Sequence, residues 1–419
     1  MRSPNRMPHA FSCMDLTSDH SYWRTKNGIL ANYPALDADQ KCDVAILGAG
    51  ISGSLIAEAL TADGHEVIVL DGRDAANGST SASTALLQYE IDTHLIDLIT
   101  RYGEAQGRMA YRACHESIDL IEERVTSLAL DDCHFTRKDS VYLASRRKDV
   151  EVLRREAEAR RQAGIVVHDW TPSDIASHFG FSGHGALHSV QAAEVDAYRL
   201  THGLLGVVLR RGGKVFDRTR VKGFEIDGDG VVLQTERGPK VRAKRLVAAM
   251  GYETECLFDT AKLVDLRSSF AIASEPLDEV PGWWRRCLLW ESARPYFYLR
   301  GDSDGRAIIG GEDLPFRNPP ARDRLVAGKG KRLEKRFREM FPQAAMERAF
   351  AWAGTFGETE DGLAYIGTYR KHPLCYFALG FGGNGIVYSM IAAEIIRAAL
   401  QGKVHPYAET FRFDRHQGS

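Results

Sequence analysis

Cysteine is scarce in this chain and badly spaced for its usual structural tasks. Seven occur in 419 residues, at positions 13, 42, 114, 133, 256, 287 and 375, and no two stand as CxxC. Neither a disulfide framework nor a zinc site is expected, and the thiols read as the reduced ones of a cytoplasmic protein. Long apolar runs are missing too. The opening stretch, with Arg2 and Arg6, has no segment of signal-peptide length, and nothing later approaches a membrane span. No charge of one sign dominates: Lys+Arg number 54 against 56 Asp+Glu. Nucleic acid is therefore not expected as a partner, since neutralising phosphates needs a cationic excess or a basic face. Arg154, Arg155, Arg160 and Arg161 cluster, but Glu151, Glu156 and Glu158 are interleaved with them, as on a solvated helix face. No internal repeat is visible, and the length predicts two structural domains.

What the chain does have is Asp43 to Asp71, DVAILGAGISGSLIAEALTADGHEVIVLD. Val44 to Leu47 form an unbroken apolar run, as in a strand buried on both faces of a parallel sheet. Gly48, Gly50 and Gly53 follow at the spacing of a dinucleotide fingerprint: a tight turn, close approach to a pyrophosphate, and close packing of helix on strand. Ser52 to Ala62 reads as a helix whose N-terminal amides and dipole point at phosphates. A second apolar strand, Val67 to Leu70, ends in Asp71, about 20 residues after the glycines, where a carboxylate takes the hydroxyls of an adenosine ribose.

Residues 1 to 20 lack periodicity and read as disordered or draped on the surface; Ser21, Tyr22 and Trp23 are the first aromatic anchor. Ser79 to Thr84 are too small to fill a core, but their hydroxyls and amides suit a loop pressed against a polar cofactor. Apolar positions from His94 to Leu130 predict two helices. Val221 to Ile226 and Val231 to Thr235 predict a hairpin, and Lys244 to Met250 a buried strand. Leu288 to Trp290, Tyr296 to Leu299 and Ala307 to Ile309 read as short strands with alternating aromatics. Near the end, Gly380, Gly382 and Gly385 form a second formal fingerprint with no strand and acid after it. They are read as approaching the same cofactor from another side.

With the first fingerprint, the strand ending AAMGY (248–252), the run DGRAIIGGED (304–313) and the tail GFGGNG in place, the chain resembles the D-amino acid oxidase family of flavoproteins. Its SYW opening and STALLQYEID run are similar to the bacterial glycine/D-amino acid oxidase-like and gamma-glutamylputrescine oxidase-like members. The resemblance implies an α/β fold with a Rossmann-like, discontinuous FAD/NAD(P)-binding domain over 40–100, 195–265 and 352–405. It implies a second, α+β substrate domain on a mainly antiparallel sheet over 101–194 and 266–351. The cofactor implied is FAD. Gly48, Gly50, Ile51, Ser52, Gly53, Asp71, Gly72 and Arg73 match positions on its ADP half. Ser79, Thr80, Ser81, Ser83 and Thr84 match the loop beside the pyrophosphate and ribityl chain. Ala249 and Gly251 stand in an ATG-like motif, Val221 is carried with them, and Gly382, Gly383, Asn384, Gly385 and Ile386 match the segment over the pyrimidine edge.

Two departures bear on chemistry. Where sarcosine-oxidase relatives carry a flavin-linking cysteine stands Gly354, so the FAD is expected to be noncovalent. Where glycine-oxidase relatives carry a carboxylate-binding arginine stands Phe356. An amino-acid substrate then depends on Arg300 or Arg294, of which Arg300 is the favoured candidate. Tyr296, Tyr298, Phe356 and Trp290 are candidates for an apolar, cation-attracting lining. The implied reaction is oxidation of the C–N bond of a small amine or amino acid by hydride transfer to flavin N5, giving an imine and then a carbonyl compound. The electron acceptor is oxygen or a carrier. The chemistry is centred on the flavin, and no side chain, His94, His188 and Glu312 included, is nominated as base. The alternatives are a flavin monooxygenase or NAD(P)H-dependent reductase, and a non-catalytic flavin-bound subunit.

Overall fold

The computed structural model describes residues 15–18, 21–258 and 263–417. Its strands, in chain order, are β1 Gln40–Leu47, β2 Val67–Leu70, β3 Leu86–Gln88, β4 Thr136–Leu143, β5 His168–Trp170, β6 Ala186–Glu194, β7 Lys214–Phe216, β8 Val221–Asp227, β9 Gly230–Thr235, β10 Lys240–Ala248, β11 Asp265–Ser274, β12 Leu288–Glu291, β13 Phe297–Gly301, β14 Ala307–Pro315, β15 Arg348–Glu358, β16 Tyr365–Tyr369 and β17 His372–Leu379.

They form two sheets. The first has the order β16-β17-β10-β1-β2-β7, with the β8–β9 hairpin attached to β10. Its centre is parallel: β1 lies between β2 and β10, and β10 continues to β17. The apolar run of β1 is covered on both faces. Val44 and Ile46 enter the cluster shared with Leu55, Ile56 and Leu60 of the helix Ile51–Ala62. Ala45 and Leu47 enter the opposite cluster with Leu246 and Phe377. A strand enclosed in this way has no polar side to show, which is why it reads as a continuous run.

The second sheet has the order β15-β11-β14-β13-β12-β4-β6-β3, with β5 on β6, and every pairing is antiparallel except β4 with β12. Its strands alternate strictly enough to serve two cores. Ile272 and Ile309 pack with Leu333 and Phe337 of the helix Val326–Met340. Ala271, Ile308 and Trp352 face the other way, into the large cluster that also holds the fingerprint helix. The mixed α/β architecture is thus the expected one.

The two helices predicted between His94 and Leu130 lie within Leu95–Ser127, divided by a kink where Gly103 leaves helical geometry (φ 81°, ψ 165°). Two other expectations differ from the structure. Of residues 1–20, only 15–18 are described, and these are neither draped nor disordered. Leu16 and Ser18 are buried, and Thr17 bridges Gly354. The cause is the open edge of β15, whose backbone takes Ser18 N–H on Ala353 O at 3.0 Å and gives Thr355 N–H to Leu16 O at 2.8 Å, pairing groups an edge strand otherwise leaves bare. The remainder of that expectation lies outside the described residues. Finally β3, inside the expected 40–100 segment, pairs in the second sheet, and β15 begins before the expected boundary at 352.

Candidate active site

A cavity of about 1120 Å³ is lined from both sheets. At one end lie Gly48, Gly50, Ile51, Ser52, Asp71, Gly72, Arg73, Val221, Ala249 and Gly251, joined by Tyr252 and Glu253. Asp71 ties this end together. Its Oδ2 accepts from Ala49 N–H and its Oδ1 from Arg73 N–H, each at 2.8 Å. Burial pushes its carboxyl up, against the pull of those amides. Arg73 is held in a two-pronged bond to Glu253, 2.7 Å on each prong. The turn is tight enough that a Cβ on Gly48 (φ +107°) would sit 2.4 Å from Ala249 O. Gly53 does not line the cavity; a Cβ there would meet Gly48 O at 1.8 Å, so its part is to seat the helix on the strand.

The middle of the cavity is a one-turn helix, Ser79–Ala82, and the residues after it. Ser79, Thr80, Ser83 and Thr84 line it, and Thr80 Oγ1 accepts from Ile51 N–H at 3.0 Å. Ser81 does not; its hydroxyl turns back to Gly78 O at 2.9 Å. Three buried donors grip the carbonyls of this segment. Trp352 Nε1 donates to Ala82 O at 2.9 Å, Trp23 Nε1 to Ser83 O at 2.6 Å, and Arg300 Nη1 to Ala85 O at 2.7 Å. From the opposite side come Gly382, Gly383, Asn384, Gly385 and Ile386. Asn384 Nδ2 donates to Gln88 O and Glu90 O at 3.1 and 2.8 Å, so the second glycine turn belongs to this same cavity.

The far end is aromatic. Trp290, Tyr296, Tyr298 and Phe356 line it, with Gly354, Ser269, Glu90, Asp92, Asp313 and Glu358. Arg300 is absent, which corrects the expectation that it binds substrate. It is 2% exposed, and its guanidinium is consumed by Ala85 O, by Val195 O at 2.9 Å and Gly301 O at 2.6 Å, with Glu194 at 3.8 Å. On β13 it stands two residues beyond the lining Tyr298 and shares its face, but it lies further along the strand, where the Ala85 and Val195 carbonyls cover it. Arg294 is exposed and stacks on Tyr296, 3.4 Å from the ring centroid. The basic residues among the described lining, Arg73, Arg220 and Lys222, neighbour Gly72, Val221 and Gly223 at the first end; none comes from β11 to β15.

None of the three unnominated side chains lines the cavity. His94 bonds Tyr142 at 3.2 Å, His188 bonds Asp139 at 2.8 Å, and Glu312 takes Lys329 at 2.8 Å. What sequence reasoning missed is mostly acidic or from other elements: Glu90, Asp92 and Asp313, Trp352 as a clamp, and Leu16 from the N-terminal strap. Glu90 and Asp92 lay within the STALLQYEID run and Asp313 ends the DGRAIIGGED run, so a signal existed for them; for Leu16 none did.

Residues 43–399 match the family model described as FAD dependent oxidoreductase (DAO). A Bacillus subtilis (strain 168) protein that carries the provisional name of a Rieske 2Fe-2S iron-sulfur protein is 23% identical, over 93% of this chain and 74% of its own length. Gamma-glutamylputrescine oxidoreductase of Escherichia coli (strain K12) is 24% identical, over 91% of this chain and 89% of its own. The solved structure of glycine oxidase from Geobacillus kaustophilus superposes with a TM-score of 0.73 at 21% identity, covering 88% of this chain and 96% of that one, a likeness of fold. Fingerprint, sheet pair and a shared cavity agree with a family match that spans most of the sequence, and the chain belongs to the DAO family of FAD-dependent oxidoreductases.

Proposed function

We propose that the protein oxidises the C–N bond of a small amine, with noncovalently held FAD. The observation that carries the substrate class is the charge of the aromatic end: four aromatic walls, Asp92 and Asp313, the acids Glu90 and Glu358 held by Arg160 and Arg267, and no basic residue in the lining beside them. Such a surface attracts a cation and repels a carboxylate. Phe356 and the displaced Arg300 point the same way, and the names of the glycine oxidase and gamma-glutamylputrescine oxidoreductase relatives are consistent with C–N chemistry.

The residues present fit FAD. Gly50 leaves the pyrophosphate side open, since a Cβ there would already meet Thr80 Oγ1 at 3.0 Å. The helix Ile51–Ala62 opens without a side-chain cap, leaving first-turn amides for phosphate oxygens. Asp71 retains lone pairs for the ribose hydroxyls. We assign Gly48, Gly50, Ile51, Ser52, Asp71, Gly72, Arg73, Val221, Ala249 and Gly251 to the ADP half, with Gly53 supporting them. Ser79, Thr80, Ser83 and Thr84, with Ser81 supporting, take the middle, and Gly382 to Ile386 the flavin side. The FAD-binding part is assigned to the segments 40–100, 195–265 and 352–405, less β3 and the overlapping part of β15, which belong to the second sheet. Bound there, FAD supplies the hydride acceptor. The aromatic walls orient the amine and exclude water, which raises the demand on any charged group sealed in with it.

Anaerobic mixing with matched pairs of an amine and its parent amino acid, followed through flavin bleaching, tests the reading. Amines are expected to bleach the flavin and their parent amino acids to do so poorly; bleaching by NADPH alone would sink it. Acid precipitation is expected to release the yellow chromophore, because Gly354 offers no thiol for a covalent link.

A further inference from the structure

Opposite Ser269, β14 loses its register. Ser268 pairs with Leu314 and Phe270 with Gly311, so Glu312 and Asp313 together oppose one residue. A bulge of this kind exchanges the two faces beyond it. Before it, Ile308 joins the cluster of Trp352, and Gly310 faces the ring of Tyr298, on the cavity side; Ile309 faces the helix Val326–Met340. Unbroken alternation would turn Glu312 to the cavity and Asp313 to the helix. Instead Glu312, at φ +60°, turns to the helix and meets Lys329 at 2.8 Å, while Asp313 lines the cavity. A left-handed residue with a side chain persists only where its surroundings enforce it. Its effect here is to set a carboxylate among aromatic walls.

That carboxylate is unspent. Asp313 makes no salt bridge among the described residues, and its Oδ1 is buried without a hydrogen-bond partner. The groups around it come from several elements. Asp92 follows β3, Glu358 ends β15 and is held by Arg267 of β11 at 2.9 Å, Ser269 lies on β11, Tyr298 on β13, and Arg294 precedes β13. Burial, then Asp92 and Glu358, push its carboxyl up to about 6, against the pull of Ser269 and Arg294. A group buried so close to two other acids, with no cation of its own, is completed by a cation from outside.

We propose that Asp313 receives the ammonium group of the substrate, holds it by a charge-assisted hydrogen bond and takes its proton. This rests on the amine-oxidation reading. The balance is simple. One proton leaves the nitrogen for the Asp313 carboxylate, the hydride leaves the adjacent carbon for FAD, and the freed nitrogen lone pair becomes the second bond of C=N. Asp313 is on this account a catalytic residue, and the substrate class is a primary or secondary amine bound as its cation.

The test uses the FAD-loaded protein and tert-butylammonium, which has no hydrogen on the carbon next to nitrogen and cannot be oxidised, with tert-butanol as its uncharged counterpart. Binding is read from the perturbed flavin absorbance across pH 5 to 9. The wild type is expected to bind the cation more tightly as pH rises through about 6 and to level off above it. Asp313→Asn should bind it at least ten-fold more weakly at pH 7.5, without the step, and bind tert-butanol unchanged; Asp313→Glu should restore part of the affinity. With an oxidisable amine, the anaerobic flavin-reduction profile of Asp313→Asn should shift toward the amine's own pKa, which a residue that merely supports the fold would not do. Equal cation binding and an equal step in wild type and Asp313→Asn overturn the proposal, as does a wild type that favours tert-butanol or binds no cation. If no amine bleaches the flavin yet the step depends on Asp313, the cation site stands and the amine-oxidation reading falls. If amines bleach it and Asp313→Asn changes neither binding nor profile, the reading stands and Asp313 is excluded.

Discussion

The two ends of the cavity are built by different means. The frame of the nucleotide end comes from one continuous stretch, strand, glycine turn, helix, strand and acid, whose contacts from Asp71 to the amides of Ala49 and Arg73 are local, with Val221 and the segment Ala249 to Glu253 added from afar. The aromatic end is gathered from β11, β12, β13, β14 and β15 and the segment after β3. Local contacts write themselves into spacing, whereas gathered ones depend on pairing and register. So the frame of the first end depends mainly on its own stretch, and the second can be upset from a distance.

The largest effect is expected at Arg300, outside the cavity. Arg300→Met removes a buried guanidinium from Glu194 and three carbonyls, at a cost of about 3–5 kcal/mol of folding stability, read as a fall in urea midpoint. Selectivity between an amine and its parent amino acid should not move; a stable variant that loses only carboxylate-bearing substrates would restore the arginine to the substrate end and break the contrast.

At the nucleotide end, Asp71→Ala should weaken FAD binding by about 1.5–3 kcal/mol, the range for hydrogen bonds to a charged group, measured by titrating FAD into stripped protein. Unchanged affinity in a folded variant would mean that the fingerprint's acid serves only its own turn.

Acid should probe the far side of β15. Burial raises the Asp361 carboxyl, but Arg415, at 2.7 and 2.9 Å, overrides it, and the net result is a pKa of about 2 instead of 3.8. A depressed folded-state pKa means the contribution is full above pH 4 and is lost as pH falls from about 4 to about 2, roughly 2 kcal/mol at 1.36 kcal/mol per unit. Urea unfolding at pH 7, 4 and 3 should show that loss, and Arg415→Met should abolish the difference.

The smallest effect sharpens the contrast most. Trp23→Phe deletes one indole N–H from Ser83 O and should cost about 1 kcal/mol, appearing in FAD affinity and little in thermal midpoint. A loss confined to the midpoint would make Trp23 an anchor of the core alone.

Much of the fold was legible in particular residues. Val44 to Leu47 announced a strand covered on both sides, and the hairpin around Gly228 and Gly230 is present as β8 and β9. Tyr296, Tyr298 and Phe356 do line the cavity. Gly53 and Ser81 were placed at the cavity although they act behind it, because a motif specifies which residues matter without saying which way they face. Leu16 was illegible for a different reason: two residues pairing with a distant edge have no periodicity to detect.

By itself the sequence determined the nucleotide half of this protein, since the βαβ unit holds its own turn, helix dipole and acid within 29 residues of Asp43–Asp71. It determined too that no arginine would stand at position 356. Only the tertiary structure decided the substrate half. Arg300 shares a strand face with Tyr298, but the segment through Ala85 and the Val195 carbonyl cover it, and one extra residue in β14 turned Asp313 toward the cavity. Side-chain direction in a strand reverses with every residue, so a single step of register, set by neighbours far off in the chain, decides whether Glu312 or Asp313 faces the cavity.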